Sequence, residues 1–271
     1  MPDLVFVENV EREVLAESGW DAIVAIGQTD SFARVKSVQS ACDVAKKIDA
    51  QVDEAVTLQA APGLAGGRLV MAPTGRLDRD YDDVRRYADA ARQGILRARD
   101  AGARRPLVLV AGVPDRDEYA RALEVSLLGV LGGLWEPLEA REALGVEEVE
   151  PIQTVGFWSE GVADPEKVRR WVLAMESGRR VARDLGGTQP ERMTPEAMAA
   201  YCRNAFEGTP VRVEIVQDAE LQQGYPLIAA VARASMHVER HKPRVIRLTY
   251  GAEAETQRTL LFAGKGLVYD T

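Results

Sequence analysis

The chain has 271 residues, 46% hydrophobic and 28% charged, with a formal net charge of −8. That is enough chain to bury a core and enough for two domains, and no run of about 18 apolar residues is present to form a membrane-spanning helix. The acidic balance gives no argument for a nucleic-acid partner, because phosphate binding rests on clustered Lys and Arg that release counterions.

A short basic cluster, Arg97, Arg99, Arg104 and Arg105, is read as a solvated helix face and the loop after it. The opening segment MPDLVFVENVERE lacks a basic stretch followed by an apolar one, so no secretory signal is expected. Cys42 and Cys202 lie far apart. Two buried thiols in a reducing cytoplasm are expected rather than a disulfide.

In chain order, Asp21–Gly27 is a short apolar run ending in glycine, as a buried strand would. Ser37–Ala50 repeats apolar residues at helical spacing. Arg68–Pro73 reads as a strand, and the glycine-rich stretch Gly63–Gly67 before it reads as a hairpin turn. Asp82–Ala101 is expected to be a helix, with acidic residues first and arginines last, matching the helix dipole. Pro106–Gly112 is the clearest buried strand, Asp117–Gly132 a helix, and Thr154–Trp158 a further strand. Strand and helix in this alternation predict an α/β layered domain.

A boundary is expected near Gly161–Pro165, giving domains 1–163 and 164–271. Asp164-Pro165-Glu166 opens a long helix with an N-cap, a proline at its first position and a first-turn acid. That helix is expected to run to about Leu185, with Gly186-Gly187 stopping it, and to join the two domains. Thr194-Pro195-Glu196 repeats the signal for a helix to about Phe206. Val211–Val216 alternates as a strand, Asp218–Gln223 is a short helix, and Val245–Tyr250 and Thr259–Gly264 are expected to be strands.

Several features carry less. His237 and His241 are four apart, but the zincin pattern needs Glu directly after the first His, and Val238 stands there; a polar surface loop is expected. Ser126 and Ser159 have no nucleophile-elbow context. Trp135 and Trp158 read as core or interface residues. The acidic pairs Asp82-Asp83 and Glu147-Glu148 read as solvated ends.

The informative stretch is Leu261-Phe262-Ala263-Gly264-Lys265-Gly266-Leu267-Val268-Tyr269-Asp270-Thr271. Two glycines let the backbone turn closely around Lys265, and a bend at Gly266 would let Lys265 and Asp270 converge. An amine beside carboxylates and a cation has its pKa pushed down, which makes it a possible neutral ligand. Amine and carboxylate donors suit zinc or manganese. Gly-Lys-Gly also occurs in ordinary surface turns, so spacing alone leaves both readings open.

The segment from Ala263 to Thr271 resembles the signature of the leucyl aminopeptidase family (peptidase family M17, the cytosol aminopeptidases). There a strand ends in Gly-Lys-Gly, followed by a hydrophobic pair, an aromatic residue, Asp, Thr or Ser, and paired glycines. Upstream, Ala182-Arg183-Asp184-Leu185, Thr188, Pro190 and Met193-Thr194-Pro195-Glu196-Ala197 are similar to the family's segment that opens the catalytic domain. The likeness covers about Val168–Thr271. It departs near Gly187 and Glu191, where the family usually has Asn, and this leaves the contacts of that loop and the substrate preference open.

The resemblance implies an N-terminal α/β domain of the variable, macro-like kind, followed by the beginning of an α/β catalytic domain with a mixed central sheet. It implies a metalloaminopeptidase that cleaves peptide substrates with two divalent ions, zinc or manganese, in a cytoplasmic homohexamer. Lys265 would bind one metal and Asp270 would bridge both. The family's remaining carboxylate ligands, its second catalytic lysine and its arginine lie downstream of the motif, so no catalytic residue is expected in this chain. The 271 residues alone are then expected to be inactive and to need the rest of the catalytic domain, carried on the same polypeptide or a separate one. The rival reading is a non-catalytic regulatory or scaffolding member of the same fold.

Overall fold

The computed structural model describes residues 1–251 and 258–267. The chain divides into two compact units, Met1–Arg180 and Val181–Thr271. The division falls inside a long helix, at whose N-terminal end the sequence places the domain boundary.

The first unit carries strands β1 (Asp3–Phe6), β2 (Ala22–Ile26), β3 (Thr57–Ala60), β4 (Arg68–Ala72), β5 (Pro106–Val110) and β6 (Thr154–Ser159). They form one sheet in the order β1-β6-β5-β2-β4-β3. All neighbours are parallel except β3, which pairs antiparallel with β4 through the glycine-rich turn. The helices are α1 (Val10–Glu13), α2 (Lys36–Ile48), α3 (Arg85–Asp100), α4 (Ala122–Gly133), α5 (Leu138–Leu144), α6 (Val146–Val149) and the N-terminal part of α7 (Pro165–Gly187).

Strands inside a parallel sheet are covered on both faces, so they must be apolar throughout. β2 and β5 meet this requirement at every position. Successive side chains alternate between faces. Ala22, Val24, Ile26, Val108 and Val110 point to a core closed by Tyr87, Ala91, Ile95, Leu127, Leu131 and Val172 of α3, α4 and α7. Ile23, Ala25, Leu107 and Leu109 point to the opposite core, with Val38, Cys42 and Ala45 of α2 and with Trp20 and Phe32. Burial of each large aliphatic or Phe side chain contributes about 1.5–3 kcal/mol, so the two cores together outweigh any single polar contact. Cys42 is a free, buried thiol whose pKa desolvation pushes up to about 12, so it is held as an unreactive core residue.

Two glycines are required by close approach. Gly27, at φ +140°, ends β2 where an added Cβ would lie 2.6 Å from the Ala111 carbonyl oxygen. Gly94, within α3, would place a Cβ 2.8 Å from Ala72 Cβ and 2.9 Å from Val24 Cγ1, so its lack of a side chain lets the helix sit against β2 and β4.

Asp82 differs from the solvated end that its sequence context suggests. Its side chain is fully buried and takes hydrogen bonds from Arg79 Nε (2.9 Å), Arg79 Nη2 (2.8 Å) and Arg86 Nε (3.0 Å). Burial opposes its ionisation, but the Arg79 side chain and backbone donors outweigh that and hold the carboxyl below its ordinary range. Glu147 and Glu148 are exposed, as expected.

The second unit begins with the C-terminal part of α7. The helix runs through Gly186 and Gly187 rather than stopping before them. Next come α8 (Pro195–Phe206), β7 (Val211–Val216), α9 (Asp218–Gly224), α10 (Pro226–Val231) and β8 (Val245–Tyr250), with β7 and β8 paired antiparallel from Val211↔Tyr250 to Val216↔Val245. Thr194 caps α8, its hydroxyl accepting from the Ala197 amide at 3.3 Å with Pro195 following, as the sequence predicts. The Tyr201 hydroxyl donates to the buried Asp184 carboxylate at 2.7 Å and ties α8 to α7. Cys202 is free and buried.

Two substitutions test these constraints. Gly94→Val forces side chains into an occupied space and is expected to cost about 1–3 kcal/mol, read as a lower denaturation midpoint of the first unit. Tyr201→Phe removes a donor to a buried carboxylate and is expected to lower the stability of the second unit by about 1–3 kcal/mol, read by urea titration.

Candidate metal centre

Lys265, the first ligand expected from the sequence, lies in residues 258–267, which carry no regular secondary structure and are exposed. The strand expected at Thr259–Gly264 therefore does not form. A strand needs a hydrogen-bonded neighbour and a covered face, and this segment has no strand partner among the described residues. Leu261 and Phe262 are 92% and 91% exposed. Asp270, the second expected ligand, lies outside the described residues.

Among the described residues, no group of three or more His, Cys, Asp or Glu side chains is placed to hold a metal ion. The two histidines lie on the surface in tight turns, Ala232–His237 and Glu239–His241. His241 Nε2 accepts from Arg240 Nε at 3.3 Å and faces Glu191 at 3.8 Å, while Glu191 also pairs with Arg240. That arrangement makes an ion-pair cluster rather than a ligand set. Neither Ser126, whose hydroxyl donates to the Ala122 carbonyl oxygen at 2.7 Å, nor the half-buried Trp158, packed on the core, shows a reactive setting.

The donors expected within this chain are one amine and one carboxylate. A single zinc ion takes about four ligands, so these two do not make a two-ion centre by themselves, and no chemical step through metals follows from them. Elsewhere the second unit is tied by polar contacts. Arg247 donates to the Tyr225 hydroxyl at 2.8 and 3.1 Å and lies 3.9 Å from Glu214, holding β8 to β7 and to the α9–α10 turn. Gln189 Oε1 accepts from the Glu191 and Arg192 amides at 2.7 and 3.2 Å and shapes the turn before α8.

Residues 180–271 match the model of the cytosol aminopeptidase family, catalytic domain. A Caenorhabditis elegans protein named "Putative aminopeptidase" is 33% identical over 288 residues, covering 100% of this chain and 53% of that protein. A protein of Methylobacillus flagellatus named "Probable cytosol aminopeptidase" is 24% identical, covering 83% of this chain and 45% of its own length. The chain thus spans about half the length of the curated relatives it matches. Among solved structures, a tomato leucine aminopeptidase mutant has a similar fold, with TM-score 0.65 and 16% identity over 92% of this chain and 50% of the other. The bottromycin maturation enzyme BotP, in complex with Mn, reaches TM-score 0.58 and 22% identity over 85% of this chain and 45% of its own. The chain is a relative of the leucyl aminopeptidases, and its residues 180–271 belong to the catalytic domain of the cytosol aminopeptidase family.

Proposed function

We propose that the complete protein to which these 271 residues belong is a metal-dependent aminopeptidase that releases N-terminal residues, with apolar ones such as leucine favoured. The observation that carries the reading is that the family's catalytic-domain match, residues 180–271, takes in Gly264-Lys265-Gly266 and Asp270-Thr271. In this reading Lys265 binds one of two divalent ions and Asp270 bridges both. The other ligands and the catalytic lysine and arginine come from residues beyond Thr271. Manganese is one candidate because BotP, a structural neighbour, was solved with Mn; zinc is the other, from the donor types.

A second observation supports the need for further residues. Leu227, Val231, Tyr250, Leu261 and Phe262 of the second unit are all more than two-thirds exposed. So much uncovered apolar surface is expected to pack against the rest of a catalytic domain. Assembly into a homohexamer and a cytoplasmic location belong to the same proposal, the latter supported by relatives named as cytosol aminopeptidases.

The test is made in the complete protein. Lys265→Ala and Asp270→Ala are each expected to lower metal-dependent hydrolysis of a leucyl peptide by at least about 100-fold, because even the partners that merely orient metal ligands cost 10–100-fold when lost. The circular dichroism spectrum should not change. Activity that survives both substitutions would remove the assignment, and a complete protein that binds metal without hydrolysing peptides would favour the non-catalytic reading.

A further inference from the structure

The first unit has a cavity of about 530 Å³ at the carboxyl end of β4, walled by the loop after that strand, the first turns of α3 and the segment before β3. Its size lies within the range of small-molecule sites. In open α/β sheets, ligands settle outside the carboxyl ends of parallel strands.

The charged residues of the wall are Glu54, Arg76, Asp78, Arg79, Arg86 and Asp89. They do not all neutralise one another. Arg76 and Asp78 pair at 2.6 Å. Arg79 and Arg86 are both held by the one buried carboxylate of Asp82, behind the wall, so a single negative charge fixes two guanidinium groups. Each uses only part of its five donors there. The side-chain carboxylates of Glu54 and Asp89 form no hydrogen bond or ion pair among the described residues; Asp89 stands one turn after Arg86 on α3 and acts on Arg85 through its charge alone.

The wall thus carries guanidinium donors left over from the shared Asp82 carboxylate, beside two carboxylates that accept no hydrogen bond among the described residues. A simple anion would meet Glu54 and Asp89, and a simple cation would meet the paired arginines. A molecule that carries both charges satisfies both. We propose that this cavity binds a zwitterionic amino acid or short peptide, with its carboxylate toward Arg79 and Arg86 and its ammonium toward Asp89 and Glu54. The ligand class follows from the wall alone. Its meaning as a site that senses substrate or product rests on the proposed aminopeptidase function.

The experiment is calorimetric titration of the 271-residue chain with leucylglycine in the presence of EDTA. Removing metals separates this binding from any event at the proposed metal centre, so either reading can fail without the other. Three comparisons accompany it: N-acetyl-leucylglycine, which lacks the ammonium; leucylglycinamide, which lacks the carboxylate; and the variant Asp89→Asn, which leaves the Asp82 cluster in place. Saturable binding of one leucylglycine per chain is expected, weakened at least about tenfold by each of the three changes, as for the loss of one charge-assisted hydrogen bond. The thermal midpoint of Asp89→Asn should match that of the parent chain. The proposal is overturned if no saturable binding occurs, if the capped peptides bind as well as the parent peptide, or if Asp89→Asn binds it unchanged.

Discussion

Burial of β2 and β5 on both faces is the constraint from which the first unit follows. Ala22–Ile26 and Pro106–Val110 have no exposed position, so each strand demands an apolar layer above and another below. α3 and α4 supply one layer and α2, with the segment around Trp20, the other. Gly27 and Gly94 are the price of close packing, since neither site has room for a Cβ.

The polar features of the unit depend on this frame. The buried Asp82 anchors the loop after β4 by gathering Arg79 and Arg86. A buried carboxylate without such partners would be costly; with them it orders two arginines along a cavity wall. The second unit is built on different terms. Among the described residues its sheet has two strands, and it places large apolar side chains such as Tyr250 and Leu227 in solvent. Two-stranded sheets depend on packing from elsewhere for their stability. That dependence fits a family whose curated members run to about twice the length of this chain.

The buried central strands, the amphipathic helices and the Thr194 cap were legible in the sequence because each rests on local periodicity or on a capping residue at a fixed place. β1 and β3 were not, since four-residue edge strands such as Asp3–Phe6 carry too short a pattern to stand out. Asp82 was misread because its partners, Arg79 and Arg86, sit three and four residues away in a stretch that also holds exposed acids, and composition does not say which carboxylate turns inward. The apolar run Thr259–Gly264 has a strand's composition, yet a strand's existence depends on a neighbour that sequence cannot supply. The metal motif was legible only as a resemblance: Lys265 stands in solvent and Asp270 lies outside the described residues, so the pairing of the two rests on the family pattern.

On the proposed reading, Lys265 and Asp270 supply part of a metal centre that two donors cannot complete. Metal titration of the purified 271-residue chain with zinc and with manganese, followed by assay on a leucyl peptide, tests it most directly. No tight binding of two ions per chain and no hydrolysis are expected. Stoichiometric binding of two ions with peptide turnover would contradict that reading, and would mean that a full ligand set exists within these residues.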